Sequence, residues 1–192
     1  AEIPLALIGE SEDRLPLHAG AGTFTEHGWP LLVTGEHMLE ANLDVVVENG
    51  RIVGFEVRGE MDGGGVDELY AIVGRYLRNR APLNAADTAR LLVAISMPSI
   101  RDAAWVWLSR SQAAISRELW SDIVRRAPQE WRDSAAAVLA FSAWLEGNGA
   151  LAWCAVDLCR STSPAHSMAD LVADLMLGAV SPNVWMPMDV ET

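Results

Sequence analysis

The spacing of hydrophobic residues changes along the chain, and the change predicts two structural regions. Residues 1–60 are rich in β-branched residues and turn formers, and their clearest period is the alternation of a strand. After the glycine run at residues 62–65 the apolar residues recur every three or four positions, as they do on an amphipathic helix. We therefore predict an α+β fold: a small N-terminal β-rich unit (residues 1–60), then an all-α bundle of antiparallel helical hairpins (residues 66–192).

The strongest strand pattern lies at residues 43–57. The Asn-Gly pair at 49–50 tolerates the positive φ angles of a two-residue turn, so these residues are expected to form a β-hairpin. Glu48 and Arg51 then face each other across the two strands as a favourable pair of opposite charges. Two less regular apolar runs favour further strands at residues 3–8 and 31–34.

Seven segments after residue 65 carry the helical period, and prolines stand between or after several of them, where a helix cannot continue. Asn84 with Asp87, and Ser99 with Asp102, have the spacing of residues that cap the beginning of a helix. The predicted helices cover residues 66–80, 84–95, 99–108, 112–127, 134–146, 150–160 and 166–178.

Helices of this length joined by short turns also fit a tetratricopeptide-like repeat, which is a helical pair of about 34 residues. When Pro164 is aligned with the last proline of that pattern, Ala140 and Ala152 fall where the two helices cross closely, and Gly147 falls in the turn between them. An alignment on Pro128 matches less well. The alternative is an ordinary antiparallel bundle that has alanine at its helix crossings.

Four segments within residues 84–186 carry a family resemblance: SIRDAAWVWL, ELWSDIVRRAP, VLAFSAWLEGNGALAWCAVDLC and SMADLVADLMLGAVSPNVW. They are similar to an uncharacterised actinobacterial family, the domain-of-unknown-function family numbered 4192. The resemblance implies a cytosolic actinobacterial protein and supplies no catalytic residues. Residues 1–60 match the usual beginning of that family poorly, so the resemblance implies nothing about their function.

The charge balance disfavours two classes of partner. All 14 basic residues are arginine, and the net charge is −12. An acidic protein repels phosphate backbones and anionic lipid headgroups, so neither a nucleic acid nor a membrane surface is predicted as a partner. The chain has no apolar run of about 18 residues and no signal-peptide pattern at its start, so we expect a cytoplasmic protein.

The sequence offers little catalytic chemistry. Cys154 and Cys159 point about 140° apart on one helix, so we expect them to stay unpaired and to behave as small buried hydrophobic residues. Cys154 lies in the middle of a predicted helix, a position typical of an inert thiol. No sharp-turn serine motif and no nucleotide-binding glycine motif occurs. We therefore predict no catalytic residue and no cofactor.

One alternative function is a metal-dependent enzyme. Glu26-His27 and Glu36-His37 are two Glu-His pairs ten residues apart, and imidazole with carboxylate suits zinc or iron. Adjacent side chains point apart, so each pair provides at most one ligand. A surface-loop location for these four residues is the favoured interpretation.

The eight tryptophans are the remaining sequence feature that could indicate a function. Trp105 and Trp107 point about 200° apart on a predicted helix, so they cannot share one face. The repeat alignment places Arg101, Trp105, Phe141 and Trp144 on a face that would line an apolar groove for a protein or peptide, including a second copy of this chain. The leading prediction is a non-catalytic protein–protein interaction module in which Arg101 orients an acidic partner. The alternative is that these residues pack against the β-rich unit.

Overall fold

The computed structural model describes residues 42–48, 51–58 and 65–188. In the first two ranges, strands β1 (Asn42–Glu48) and β2 (Arg51–Arg58) pair in the antiparallel sense. Glu48 is the register partner of Arg51, which confirms the predicted hairpin and its two-residue connection. A bulge interrupts the register between Val46 and Val47.

Among the described residues seven α-helices follow, each within a few residues of a segment that has the predicted period. The Asn84 side chain accepts a hydrogen bond from the Asp87 backbone N–H at 2.7 Å, as predicted. The capping role predicted for Ser99 is wrong, because the helix begins at Pro98, whose fixed φ suits the first helical position. The helices are α1 (Gly65–Asn79), α2 (Ala85–Ser96), α3 (Pro98–Ala103), α4 (Arg110–Arg126), α5 (Arg132–Glu146), α6 (Gly149–Thr162) and α7 (Ser167–Leu177).

The predicted α+β class is wrong, because the fold is an all-α bundle. Residues 65–188 contain helices and loops and no strand, and the core lies between those helices. The hairpin backbone lies against α2 and α4. Two strands bury too little apolar surface to form a structural layer of their own, so the prediction of a β-rich unit over residues 1–60 is not supported. The strands expected at 3–8 and 31–34 lie outside the described residues.

Helix α5 lies at the centre of the bundle. Residues 133–145 are all buried, and the helix packs against α2, α4, α6 and α7. Its alanines leave room for these neighbours to approach closely, and Ala140 and Ala152 of α6 are both fully buried. Gly147 ends α5 with a φ of 97°, a left-handed conformation that suits glycine.

This central helix also overturns the tetratricopeptide-like interpretation. In a stack of helical repeats each unit contacts its neighbours along the chain. Here one helix is surrounded by four others, two of which are distant from it in sequence. The alanines match the repeat pattern because a helix that packs closely against four others also needs small residues at its contacts.

Candidate functional site

The structure brings together three of the four residues predicted to bind a partner. The ring centroids of Trp105 and Phe141 are 4.7 Å apart, and those of Phe141 and Trp144 are 5.5 Å apart. Trp185 joins them, with its centroid 5.0 Å from Phe141 and 5.5 Å from Trp105. We call these four residues the aromatic cluster. Phe141 and Trp144 are buried and Trp105 is half-buried, so the cluster is packed.

A segment of the same chain covers the aromatic cluster. Residues 181–188, which we call the strap, follow α7 and carry Trp185. The indole N–H of Trp185 donates to the Leu108 carbonyl at 2.8 Å, and the Met188 N–H donates to the Val106 carbonyl at 2.9 Å. The predicted site omits Trp185 because it lies beyond the last helical period. The sequence feature that could have identified Trp185 is a tryptophan among apolar residues in the segment SPNVWMPM.

Arg101, the fourth predicted residue, lies in a separate cavity of about 320 Å³, which we call the polar cavity. Only 7% of this residue is exposed. Its Nε and Nη2 atoms lie 2.9 Å and 2.8 Å from Oδ1 of Asp102, which also accepts from Nε1 of Trp105 at 3.3 Å. The cavity walls also carry Asp133, His166 and four serines: Ser96, Ser134, Ser163 and Ser167.

Two helices begin at the polar cavity. Asp133 and Ser134 belong to the first turn of α5, and His166 caps α7. The His166 Nδ1 atom accepts the Ala169 backbone N–H at 3.4 Å, which orients the imidazole ring. The Asp133 carboxylate accepts the Ser134 N–H at 2.7 Å and lies near the positive end of the α5 dipole. The backbone geometry of two helix starts therefore positions the polar side chains.

The cap also bears on which ring nitrogen of His166 carries the proton. Because Nδ1 faces the Ala169 backbone N–H, we assign the proton of the neutral ring to Nε2. Nε2 is 3.3 Å from Nη1 of Arg101 and 3.5 Å from Oγ of Ser134. Two N–H groups cannot bond to each other, so with this assignment Arg101 and His166 are donors that face each other. A second long contact joins Nη2 of Arg101 to Oγ of Ser167 at 3.4 Å. We call Arg101 and His166 the donor pair.

The charge of the donor pair follows from its surroundings. Burial lowers the pKa of His166, and the positive charge of Arg101 lowers it further. Asp133 and Asp102 each raise it by a smaller amount than Arg101 lowers it. His166 is therefore neutral near pH 7, and its Nε2–H stays available as a donor. A neutral donor beside a guanidinium suits an acceptor that carries negative charge.

The same geometry is unsuitable for nucleophilic catalysis by Ser134. A histidine that activates a serine takes the proton on a free Nε2, while a carboxylate accepts its Nδ1–H. Nδ1 of His166 faces the backbone N–H of Ala169 instead of a carboxylate.

The two cysteines lie in different environments. Cys159 is buried, and burial together with the charge of Asp133 raises the pKa of its thiol to about 12. Cys154 is exposed, so the prediction that it is buried is wrong. Alpha-helical spacing places it on the outer face of α6. Both thiols are free.

The residues of the alternative metal site, Glu26, His27, Glu36 and His37, lie outside the described residues. Within the part of the chain that the structure does describe, no group of three or more His, Cys, Asp or Glu side chains is placed to hold a metal ion. In the same part of the chain, no helix is both long enough and apolar enough to cross a membrane.

Comparison with known proteins gives one match. A family model described as a domain of unknown function (DUF4192) matches residues 37–183, about three quarters of the chain. The match confirms the predicted family and begins earlier than expected, so that it includes the hairpin as well as the helices that form the polar cavity. No curated protein and no solved structure matches the chain.

Proposed function

We propose that this chain, which belongs to the DUF4192 family, is a non-catalytic module that binds an acidic side chain of a partner protein. The polar cavity is the binding site. The observation that carries the proposal is the donor pair: Arg101 and His166 are buried, and Nη1 and Nε2 lie 3.3 Å apart on the cavity wall. With the proton assigned to Nε2, both atoms are donors, and an incoming acceptor can bind both.

A carboxylate fits the donor pair better than a neutral acceptor. Arg101 uses Nε and Nη2 on Asp102, which leaves Nη1 directed at the space next to His166. Asp102 is half exposed, so water screens its negative charge from the cavity. A carboxylate oxygen at about 2.8 Å from both donors forms one charge-assisted bond and one neutral-donor bond.

The size of the cavity limits what can enter. A volume of about 320 Å³ is at the lower end for small-molecule sites. The space therefore suits one side chain of a docked protein and is too small for a dinucleotide or a similar cofactor.

Asp133 limits which acidic group can bind. It is buried on the cavity wall, and its carboxylate repels a second negative charge. The bound carboxylate must then lie next to Arg101 and His166 and away from the Asp133 carboxylate. We expect the substitution Asp133→Asn to strengthen binding of a carboxylate, since the repulsion is removed and an amide keeps an oxygen for the Ser134 N–H.

A matched pair of probes tests this proposal. N-acetylglutamate amide and N-acetylglutamine amide have nearly the same shape, and they differ in the charge of the side chain. We expect the carboxylate probe to shift the NMR signals of the His166 ring saturably, and the carboxamide to bind at least about tenfold more weakly because it lacks the charge-assisted bond. Inorganic phosphate is the third probe and separates carboxylate recognition from general anion binding.

Two arginine variants serve as test and control. Arg101→Met removes the guanidinium from the cavity and should abolish binding of the carboxylate probe. Arg125→Met removes a guanidinium that is mostly exposed on α4 and should leave binding unchanged. Equal binding by the two variants, or equal binding of the two glutamate-derived probes, would contradict the proposal.

We expect a protein partner in the cytoplasm, with neither nucleic acid nor membrane lipid as a partner. The net charge of −12 supports the exclusion of anionic polymers. Two free thiols, one exposed, support a reducing compartment.

A further inference from the structure

The polar cavity contains a second charged group besides Arg101, the carboxylate of Asp133. Only 8% of Asp133 is exposed. Its carboxylate accepts the Ser134 backbone N–H at 2.7 Å, and among the residues that the structure describes no arginine or histidine forms an ion pair with it. A positively charged group that enters the cavity can therefore pair with Asp133 without competing with another side chain.

The balance of charge around the cavity also favours a ligand with a positive group. Arg101 contributes one positive charge, Asp102 and Asp133 contribute two negative charges, and His166 is neutral near pH 7 because burial lowers its pKa. A ligand that carries only a carboxylate adds another negative charge to this group. A ligand with a carboxylate and an ammonium leaves the balance unchanged, so it meets less repulsion.

The two signs of charge are held apart within one small space. Arg101 and Asp133 line the same cavity of about 320 Å³ and do not form an ion pair with each other. Both act on one ring: Arg101 lowers the pKa of His166, and Asp133 raises it. The two ends of a single small ligand can therefore reach Arg101 and Asp133 together. In a glutamate or aspartate residue a short carbon chain joins the amine to the side-chain carboxylate, which suits this spacing.

We propose that the ligand of the polar cavity is an acidic residue with a free α-ammonium group, which pairs with Asp133 while its side-chain carboxylate binds Arg101 and His166. This inference rests on the proposed function, because it names the rest of the ligand whose carboxylate the donor pair binds. Two sources provide this chemistry: the N-terminal glutamate or aspartate of a partner protein, and the free amino acid.

The N-terminal residue of a protein fits the charges of the cavity better than the free amino acid does. Free glutamate carries a second carboxylate next to its amine, and Asp133 repels it. In an N-terminal residue that carboxylate is replaced by a neutral peptide group. Ala165 and Ser167 on the cavity wall are exposed, so the rest of a partner chain can leave the cavity on that side.

The α-amide of glutamate tests the proposal, because it has both charged groups and no second carboxylate. Near pH 7 its amine is mostly protonated. We expect it to bind at least about tenfold more tightly than either N-acetylglutamate amide or glutaric acid monoamide, as measured by isothermal titration calorimetry. The acetyl group blocks the amine and the monoamide lacks it, so the bulk of the acetyl group cannot explain a shared loss. Glutamine α-amide, which has the ammonium without the carboxylate, should also bind at least about tenfold more weakly.

The substitution Asp133→Asn should change the affinities of two probes in opposite directions. It should weaken binding of glutamate α-amide at least about tenfold, because the partner of the ammonium is lost. It should strengthen binding of glutaric acid monoamide, because the repulsion of a bare carboxylate is removed. Asp157→Asn removes an exposed carboxylate on α6 and is the matched control, which should leave both affinities unchanged.

The same titrations distinguish the two sources and the two proposals. Tighter binding of glutamate α-amide than of free glutamate indicates the N terminus of a protein, and the reverse order indicates a free amino acid and contradicts a protein partner. Equal binding of glutamate α-amide and glutaric acid monoamide by the wild type would overturn the role of the ammonium and leave the carboxylate site intact. Failure of every glutamate-derived probe to bind would overturn both proposals. If Asp133→Asn does not fold, the wild-type comparison decides the question.

Discussion

The aromatic cluster and the polar cavity both contain buried side chains, and they differ in what surrounds those side chains. The aromatic cluster is closed by Trp185 of the same chain, and apolar surface needs only to be covered. The polar cavity contains Arg101 and His166, and two buried donors need an acceptor in a defined place. An apolar site can therefore be completed by packing alone. A polar site also depends on the direction of each donor and acceptor.

The two regions are connected by a single carboxylate. Oδ1 of Asp102 accepts from Arg101 on the cavity side and from the Trp105 indole on the side of the aromatic cluster. The four residues predicted to form one binding face are therefore divided between two places. Three of them stabilise the bundle, and Arg101 faces the cavity.

The largest expected effect comes from Phe141, at the centre of the aromatic cluster. Phe141→Ala should lower the free energy of unfolding by about 3–5 kcal/mol, because it leaves a hole in a fully buried site. Urea denaturation measures the loss. Cys154→Ala, on the exposed side of α6, is the control and should stay within about 0.5 kcal/mol of the wild type. A small effect of Phe141→Ala would mean that the cluster is an open groove.

For the polar cavity we expect the opposite pattern of stability and binding. Arg101→Met should change the free energy of unfolding by only about 1 kcal/mol, since Asp102 is half exposed and is not left as a buried unpaired charge. Binding of N-acetylglutamate amide should be lost in the same variant. A loss of stability as large as that of Phe141→Ala would show that the cavity is structural.

Two substitutions test backbone strain at two turns where a residue has a positive φ, Gly147 and Ala179. Gly147→Ala places a Cβ at a φ of 97° and should cost about 1 kcal/mol, although no atom lies within 4 Å of that Cβ. Ala179→Gly removes the strain at a φ of 50° and should stabilise the protein by up to about 1 kcal/mol. Thermal denaturation of both variants checks the signs. Destabilisation by Ala179→Gly would contradict the strain assigned to this turn.

The smallest expected effect is the pH dependence caused by His166. Its pKa in the folded state is below the ordinary value near 6.5, so the unfolded chain binds the proton first as the pH falls. Stability should therefore decrease below about pH 6.5 and should not depend on this group above it. The charges that face the ring are Arg101 and Asp102 of α3 and Asp133 of α5.

His166→Asn is the comparison for that measurement. Asparagine keeps an oxygen that can cap α7, and it does not titrate. We take the unfolding free energy of the wild type minus that of the variant. This difference should decrease from pH 7.5 to pH 5.5, because only the wild type loses stability through protonation of His166. A difference that is constant over this range would contradict the neutral state assigned to His166.

Local patterns predicted most of the helices, the hairpin register and the cap at Asn84. These features depend on residues close together in sequence, so periodicity and turn chemistry identify them. The arrangement of the helices was harder to predict. Alanines at helix crossings fit both a stack of helical repeats and a bundle with one central helix. Only the contacts of α5 with distant helices distinguish the two.

The candidate site could be predicted only in part, because it depends on long-range contacts. Arg101 was identifiable as the single charge near an apolar face. Its neighbour His166 lies 65 positions later in the sequence, and its role comes from the start of α7. Trp185 similarly meets Leu108 across 77 positions. No local motif marks either pairing.

The central claim is that His166 is a neutral Nε2–H donor facing Arg101. A long-range proton–nitrogen correlation spectrum of the imidazole rings at pH 7.5 reads this directly, with His166→Asn used to assign the signal. We expect the Nε2–H tautomer, and a shift of that nitrogen when N-acetylglutamate amide is added. A ring protonated on Nδ1 would accept from Arg101 through Nε2, and the donor pair would then need no ligand; that result would contradict the proposed function.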